Sequence, residues 1–191
     1  MHTLTSPAML LPIDNIDTDR IIPARCLITT KIEGLGRHFF NDWAHGRNGC
    51  DNARILVAGH NFGCGSSREH AVWALADSGI EAVVSTKFAD IFHANALRNR
   101  LVPVVIQPED HERLVAALEA DPASIVTIDY GALRLTCGSI DLPFTAAISE
   151  IGTEESETPG GEELEILLGQ SRLIDDHEAA RKARVNTLGG R

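Results

Sequence analysis

ARILVAG (Ala53–Gly59), HNFGCG (His60–Gly65) and SSREHAVWALADSG (Ser66–Gly79) follow one another without interruption, and their order decides the fold. The first is a short apolar run ended by glycine, which predicts a strand buried on both faces. The second is a glycine-spaced turn. In the third, Ala71, Ala74 and Leu75 recur at helical spacing and Gly79 supplies a C-terminal stop, so the unit reads strand, loop, helix. Downstream the alternation continues with a strand at Glu81–Thr86, a helix at Phe88–Asn99 and a strand at Leu101–Ile106. Pro103 places that last strand near an edge or an end. A helix over Glu109–Ala120 follows, and IVTIDYGALRLTC alternates on either side of Tyr130 and Gly131 as an antiparallel hairpin does. The expected fold class is therefore α/β, with a mixed, largely parallel sheet flanked by helices.

The chain has 191 residues, and 17 Lys plus Arg face 27 Asp plus Glu, for a formal net charge of −10. Duplex binding needs a basic footprint that neutralises phosphates, and no run of this sequence supplies one, so nucleic acid is not an expected partner. A content of 43% apolar and 5% aromatic residues fits a globular protein with one sizeable core. The four cysteines, Cys26, Cys50, Cys64 and Cys137, are too dispersed for a disulfide framework and form no CxxC pair, so no metal site is expected on this chain. Met1–Leu11 lacks a basic leader, and no segment approaches the ~20 apolar residues of a membrane span. The expected compartment is the cytoplasm, with no membrane partner.

Three parts are expected along the chain. Residues 1–152 form the single domain. Residues 153–163 (TEESETPGGEE) hold five glutamates, about half the net charge, and read as an acidic flexible link. Residues 164–191 regain apolar content as a helical extension, with Ser171 capping a helix in SRLIDDHEAARKARV.

Two short segments carry chemistry. In Gly63–His70 (GCGSSREH), Ser66 and Glu69 stand at the spacing of a capping box. A cap leaves unexplained the two glycines, the second hydroxyl of Ser67, and Arg68 in a first helical turn, where the helix dipole disfavours a cation. Free N–H groups at a helix start and a bidentate arginine suit a carboxylate or a phosphate. The loop is neither a Walker loop nor a nucleophile elbow. The second segment, Asp14–Pro23 (DNIDTDRIIP), places three carboxylates within six residues. It lacks the glycine and distal glutamate of a calcium loop, and local side-chain to backbone turn bonds before a strand are the stronger reading of the residues alone. Cys64 between its glycines reads as a small buried residue. His70 reads as a packed or capping side chain, and Trp43, Phe39, Phe40 and Trp73 read as core or subunit interface.

NIDTDRIIPARCL from Asn15, FNDW at Phe40–Trp43, NFGCGSSREHA at Asn61–Ala71 and FADIF at Phe88–Phe92 together resemble the small subunits of 3-isopropylmalate dehydratase, in the aconitase family. The motifs run in family order over about residues 10–150. The resemblance implies a swivelling β/β/α domain on a chain of its own. It implies a hydro-lyase that isomerises 2-isopropylmalate to 3-isopropylmalate through 2-isopropylmaleate in leucine biosynthesis, and that acts only with a large subunit holding a [4Fe-4S] cluster. It assigns Ser66 as the catalytic base, Ser67 and Arg68 to the carboxylates of a small dicarboxylate substrate, and Thr18 and Asp19 to the edge of the site. It also makes Ala24–Gly36 the loop that selects the substrate side chain. Ile28 falls where homoaconitate-type members commonly carry arginine, and an apolar residue there suits an isopropyl group. Val72, Arg20 and the acidic tail depart from the family pattern. Two other readings are a related dehydratase acting on homoaconitate or a methylated malate, and a non-catalytic anion-binding domain.

Overall fold

Val57 and Val84 show how this sequence makes its sheet. Each sits in a four-residue strand with every residue buried, Ile55–Ala58 and Ala82–Ser85, and short β-branched runs of this kind belong in the middle of a parallel sheet. The structure, a computed structural model, describes residues 3–27, 32–42 and 52–146. In chain order the elements are β1 (Thr3–Leu11), α1 (Thr18–Ile21), β2 (Ile55–Ala58), α2 (Glu69–Asp77), β3 (Ala82–Ser85), α3 (Asp90–Arg98), β4 (Val102–Val105), α4 (Pro108–Ala120), β5 (Ile125–Asp129), β6 (Arg134–Cys137) and β7 (Ile140–Pro143). Single 3-10 turns occupy Ala24–Cys26 and Gly36–His38.

The strands form one sheet in the order β4-β3-β2-β1-β5-β6-β7. It is mixed, as expected, with three parallel ladders among β1–β4 and three antiparallel ladders from β1 to β7. β4 is an edge strand, which accommodates Pro103.

β1 joins the two halves, and the sequence does not announce it. Thr3–Pro7 pair antiparallel with β5, and Ala8–Leu11 pair parallel with β2. Pro7, which has no N–H to give, stands where one partner hands over to the other. Ser6 helps the exchange: its buried Oγ accepts from the Arg54 backbone N–H at 2.9 Å. A proline and four hydroxyl or small residues within TLTSPAMLL hide the strand from a reading by periodicity. β7 is likewise outside the expected hairpin, which comprises β5 and β6.

Strict alternation sends side chains to two cores. Met9, Leu11, Leu56 and Val83 face α2 and α3, where Leu75, Phe92 and Ala96 meet them. Ile55, Val57 and Val84 face the other way, toward Leu114 and Leu118 of α4 and the apolar face of β5–β7. All described residues lie in one compact unit, Met1–Ile151. The expected link at 153–163 and extension at 164–191, with Ser171, lie outside the described residues, as do Ile28 and Trp43. No helix among the described residues is long and apolar enough to cross a membrane.

Candidate active site

β1, β2 and β3 run parallel, so the segments that leave Leu11, Ala58 and Ser85 emerge from the same sheet edge, the carboxyl end where open α/β sheets bind ligands. Backbone bonds fasten the three together. Asn15 N donates to His60 O at 2.8 Å, Gly63 N to Ile16 O at 2.8 Å and Thr18 N to Cys64 O at 3.0 Å. From the third segment, Phe62 N reaches Lys87 O and Ala89 N reaches Phe62 O, both at 3.0 Å. Asp14 Oδ1 accepts from His60 N at 2.7 Å. Buried Ser85 donates its hydroxyl to Gly59 O at 2.6 Å, tying the end of β3 to the end of β2. Asn15 and Asn61 both adopt positive φ, 55° and 58°, a region asparagine tolerates, and Asn61 Nδ2 donates to Asn15 Oδ1 at 2.8 Å. Sequence reading passed over this asparagine pair, although asparagine in turn-forming company is a usable signal.

Of the carboxylates of DNIDTDR, one makes the expected local side-chain to backbone bond, as a helix cap and not before a strand, and the other two form cross-links. Asp17 caps α1 by accepting from Arg20 N at 2.8 Å. Asp14 bonds across to the β2–α2 loop, and Asp19 pairs with Arg68.

The capping box does not form. α2 begins at Glu69 with Arg68 at its N-cap, in extended conformation and with no side-chain cap. Arg68 therefore precedes the first helical turn instead of lying in it. A tertiary bond takes the glutamate side chain the box requires, while Thr18 Oγ1 donates to the Ser66 carbonyl at 2.8 Å and ties the loop to α1. Glu69 Oε1 accepts from Asn99 Nδ2 at 2.9 Å, and the Asn99 Oδ1 accepts from Trp73 Nε1 at 2.9 Å.

What results is an open cleft of about 200 Å³. Thr18, Ser66, Ser67 and Arg68 line one part and the first turn of α3, Ala89–Phe92, lines another. Ser66 and Ser67 are exposed, and Arg68 is mostly covered, its side chain 18% exposed. Arg68 Nη1 donates to Asp19 Oδ1, so that carboxylate orients the guanidinium. Structure thus brings together four of the expected residues on the cleft wall, with Asp19 bonded to one of them. Ile28 lies outside the described residues. Asp90 and Ile91 are added to the cleft.

Cys64 is only half-buried, a correction to the expected buried cysteine. His70 packs against Trp73 with ring centroids 4.7 Å apart, and Phe39 and Phe40 are buried. Among the described residues, no three His, Cys, Asp or Glu side chains stand together in a way that could hold a metal ion.

A family model described as the aconitase C-terminal domain matches residues 47–109, the span containing this loop. The chain is 40% identical to the 3-isopropylmalate dehydratase small subunit of Herpetosiphon aurantiacus, over 99% of this chain and 98% of that one. It belongs to the family of 3-isopropylmalate dehydratase small subunits. Within this family, the small subunit of Anaeromyxobacter dehalogenans is 47% identical over 71% of this chain and 75% of its own. The crystal structure of a 3-isopropylmalate dehydratase (leuD) from Methanocaldococcus jannaschii superposes with a TM-score of 0.61. It has 30% identity and covers 76% of this chain and 83% of that one.

Proposed function

We infer that this chain is the small subunit of a 3-isopropylmalate dehydratase, a hydro-lyase that works with a large subunit to isomerise 2-isopropylmalate to 3-isopropylmalate in leucine biosynthesis. The observation that carries this reading is that the segment most specific to the family likeness, Asn61–Ala71, is also the segment that builds the cleft wall. The full-length relatives bear the isopropylmalate dehydratase name, which leaves the homoaconitate-type and stand-alone anion-binding readings without support.

The reaction removes a proton and a hydroxyl as water to give 2-isopropylmaleate, then returns water across the same double bond with the opposite regiochemistry. Ser66 takes the proton from the carbon beside a carboxylate. Serine is a weak base, so its alkoxide needs positive charge nearby, and Arg68 on the same cleft wall supplies it. Arg68 has five N–H donors in a planar fork, and with Asp19 holding one edge, the rest remain to grip a substrate carboxylate bidentately. Ser67 adds a hydroxyl donor to the same carboxylate. Thr18 acts one step back, since its bond to the Ser66 carbonyl fixes where the serine stands. A [4Fe-4S] cluster on the large subunit, which the family resemblance implies, would supply the Lewis-acid chemistry that polarises the departing hydroxyl.

Anaerobic copurification with the large subunit, followed by an assay of 2-isopropylmaleate hydration, tests the reading. The complex turns over and the isolated chain does not. Ser66→Ala copurifies normally but loses about 10²-fold or more in kcat, the scale of a positioned general base. Turnover by the isolated chain, or a fully active variant, would overturn the assignment.

A further inference from the structure

Four large apolar side chains among the described residues are left exposed, Ile32, Ile91, Ile125 and Leu133, and Ile91 has the greatest exposure at 54%. Of the four, it alone lines the cleft that holds Ser66 and Arg68. The fold holds it there. Ala89 N is fixed to Phe62 O, and α3 starts at Asp90, so Ile91 falls on the first turn of the helix. The next residue, Phe92, is anchored in the core against Phe62, with ring centroids 5.1 Å apart in an edge-to-face arrangement. Ile91 points to the cleft while Phe92 points to the core, and a helix pinned at both places has little freedom to turn its isoleucine elsewhere.

We propose that Ile91 is a specificity-determining residue, an apolar wall that receives the branched alkyl group of the substrate. The inference rests on the dehydratase reading above and deepens it. Charge in the cleft orients the ligand to suit: Arg68 attracts a carboxylate to its wall, while Asp90, exposed and beside Ile91, repels one from the α3 wall. A 2-alkyl diacid placed with its carboxylate on Arg68 turns its uncharged alkyl branch toward α3. An isopropyl group laid on Ile91 removes apolar surface of both from water, a gain that a smaller substituent forgoes.

The test is the reconstituted complex of both subunits, assayed for hydration of 2-isopropylmaleate, methylmaleate and unsubstituted maleate. The quantity read is the ratio of kcat/KM for isopropylmaleate to that for methylmaleate. Ile91→Ala lowers this ratio about tenfold, the scale of a lost methylene-sized contact, chiefly through KM, and Ile91→Val lowers it less. A ratio unchanged in Ile91→Ala overturns the assignment and leaves the dehydratase reading intact. Loss of copurification with the large subunit in Ile91→Ala makes Ile91 a subunit contact and also overturns it. A wild-type complex that hydrates none of the three brings down both readings.

Discussion

Gly63 lets the loop and the core meet by having no side chain. Its φ is +76°, and a Cβ built on it would stand 2.2 Å from the Phe92 ring, well inside contact distance. Gly59 makes a comparable approach, with a virtual Cβ 2.4 Å from the Ile13 carbonyl where the first two cleft segments touch. Gly63→Ala must therefore both adopt an unfavourable backbone and displace the ring that anchors α3. The expected loss is about 1–3 kcal/mol, read as a lower urea midpoint at unchanged m-value, and a midpoint within error of wild type would refute this account. The glycines of GCG were conspicuous in the sequence as openings for a ligand. One of them serves packing just as directly, and only the position of Phe92 reveals it.

Between elements, Asn99 at the end of α3 carries more than its place in a helix terminus suggests. It donates to Glu69 Oε1 and to the Asn95 carbonyl, and accepts from the Trp73 indole N–H, so one amide stitches the start of α2 to the end of α3. Asn99→Leu keeps the volume and removes all three bonds, leaving Glu69 and the indole unpaired in half-buried surroundings. A loss of about 1–3 kcal/mol in a chemical denaturation curve is expected, with Trp73 fluorescence reporting the altered environment. The same network shows why some elements were legible in sequence and some features were not. β2, β3, β4, α2, α3 and α4 come within one to three residues of the bounds read from apolar period and glycine stops, because their burial is the local pattern. The capping box of Ser66 and Glu69 is correct as local chemistry and absent as structure, since Asn99, 30 residues from Glu69 in sequence, claims its carboxylate, and Thr18, 48 residues from Ser66, anchors the serine's carbonyl. Ser66, Ser67, Arg68, Thr18 and Asp19 could be named from motif likeness. That Asp19 would turn toward Arg68, or that Ile91 would face them, is written only in the pairing of β2 with β1 on one side and β3 on the other.

At the scale of the whole molecule, an ion pair beside the starts of β2 and β3, in the parallel half of the sheet, is felt in the antiparallel half. Arg54 beside β2 and Glu81 beside β3 form a two-bonded ion pair, at 2.6 and 2.7 Å. Tyr130, at the end of β5, feels both. Burial first, and then the Glu81 carboxylate, push its phenol up to about 12 from the ordinary 10, with Arg54 opposing. The folded state thus prefers the neutral phenol. The stability this contributes is complete below pH 10 and is lost as pH rises from 10 through 12. Tyr130 is the chain's sole tyrosine, so tyrosinate absorbance should titrate with a midpoint near 12 in the native protein and near 10 in denaturant. Coinciding midpoints would contradict the burial. A last consequence belongs to β1 and concerns how the chain is made. Its first residues pair with Ile125–Asp129, and its last with Ile55–Ala58. On the ribosome the nine residues of β1 emerge long before Ile125–Asp129 and must wait until residue 129 is synthesised before both flanks of the strand are filled. Until then an unfinished edge stays open to unwanted pairing, so this subunit completes its folding late, and a partner or chaperone that shields the nascent β1 would raise its yield.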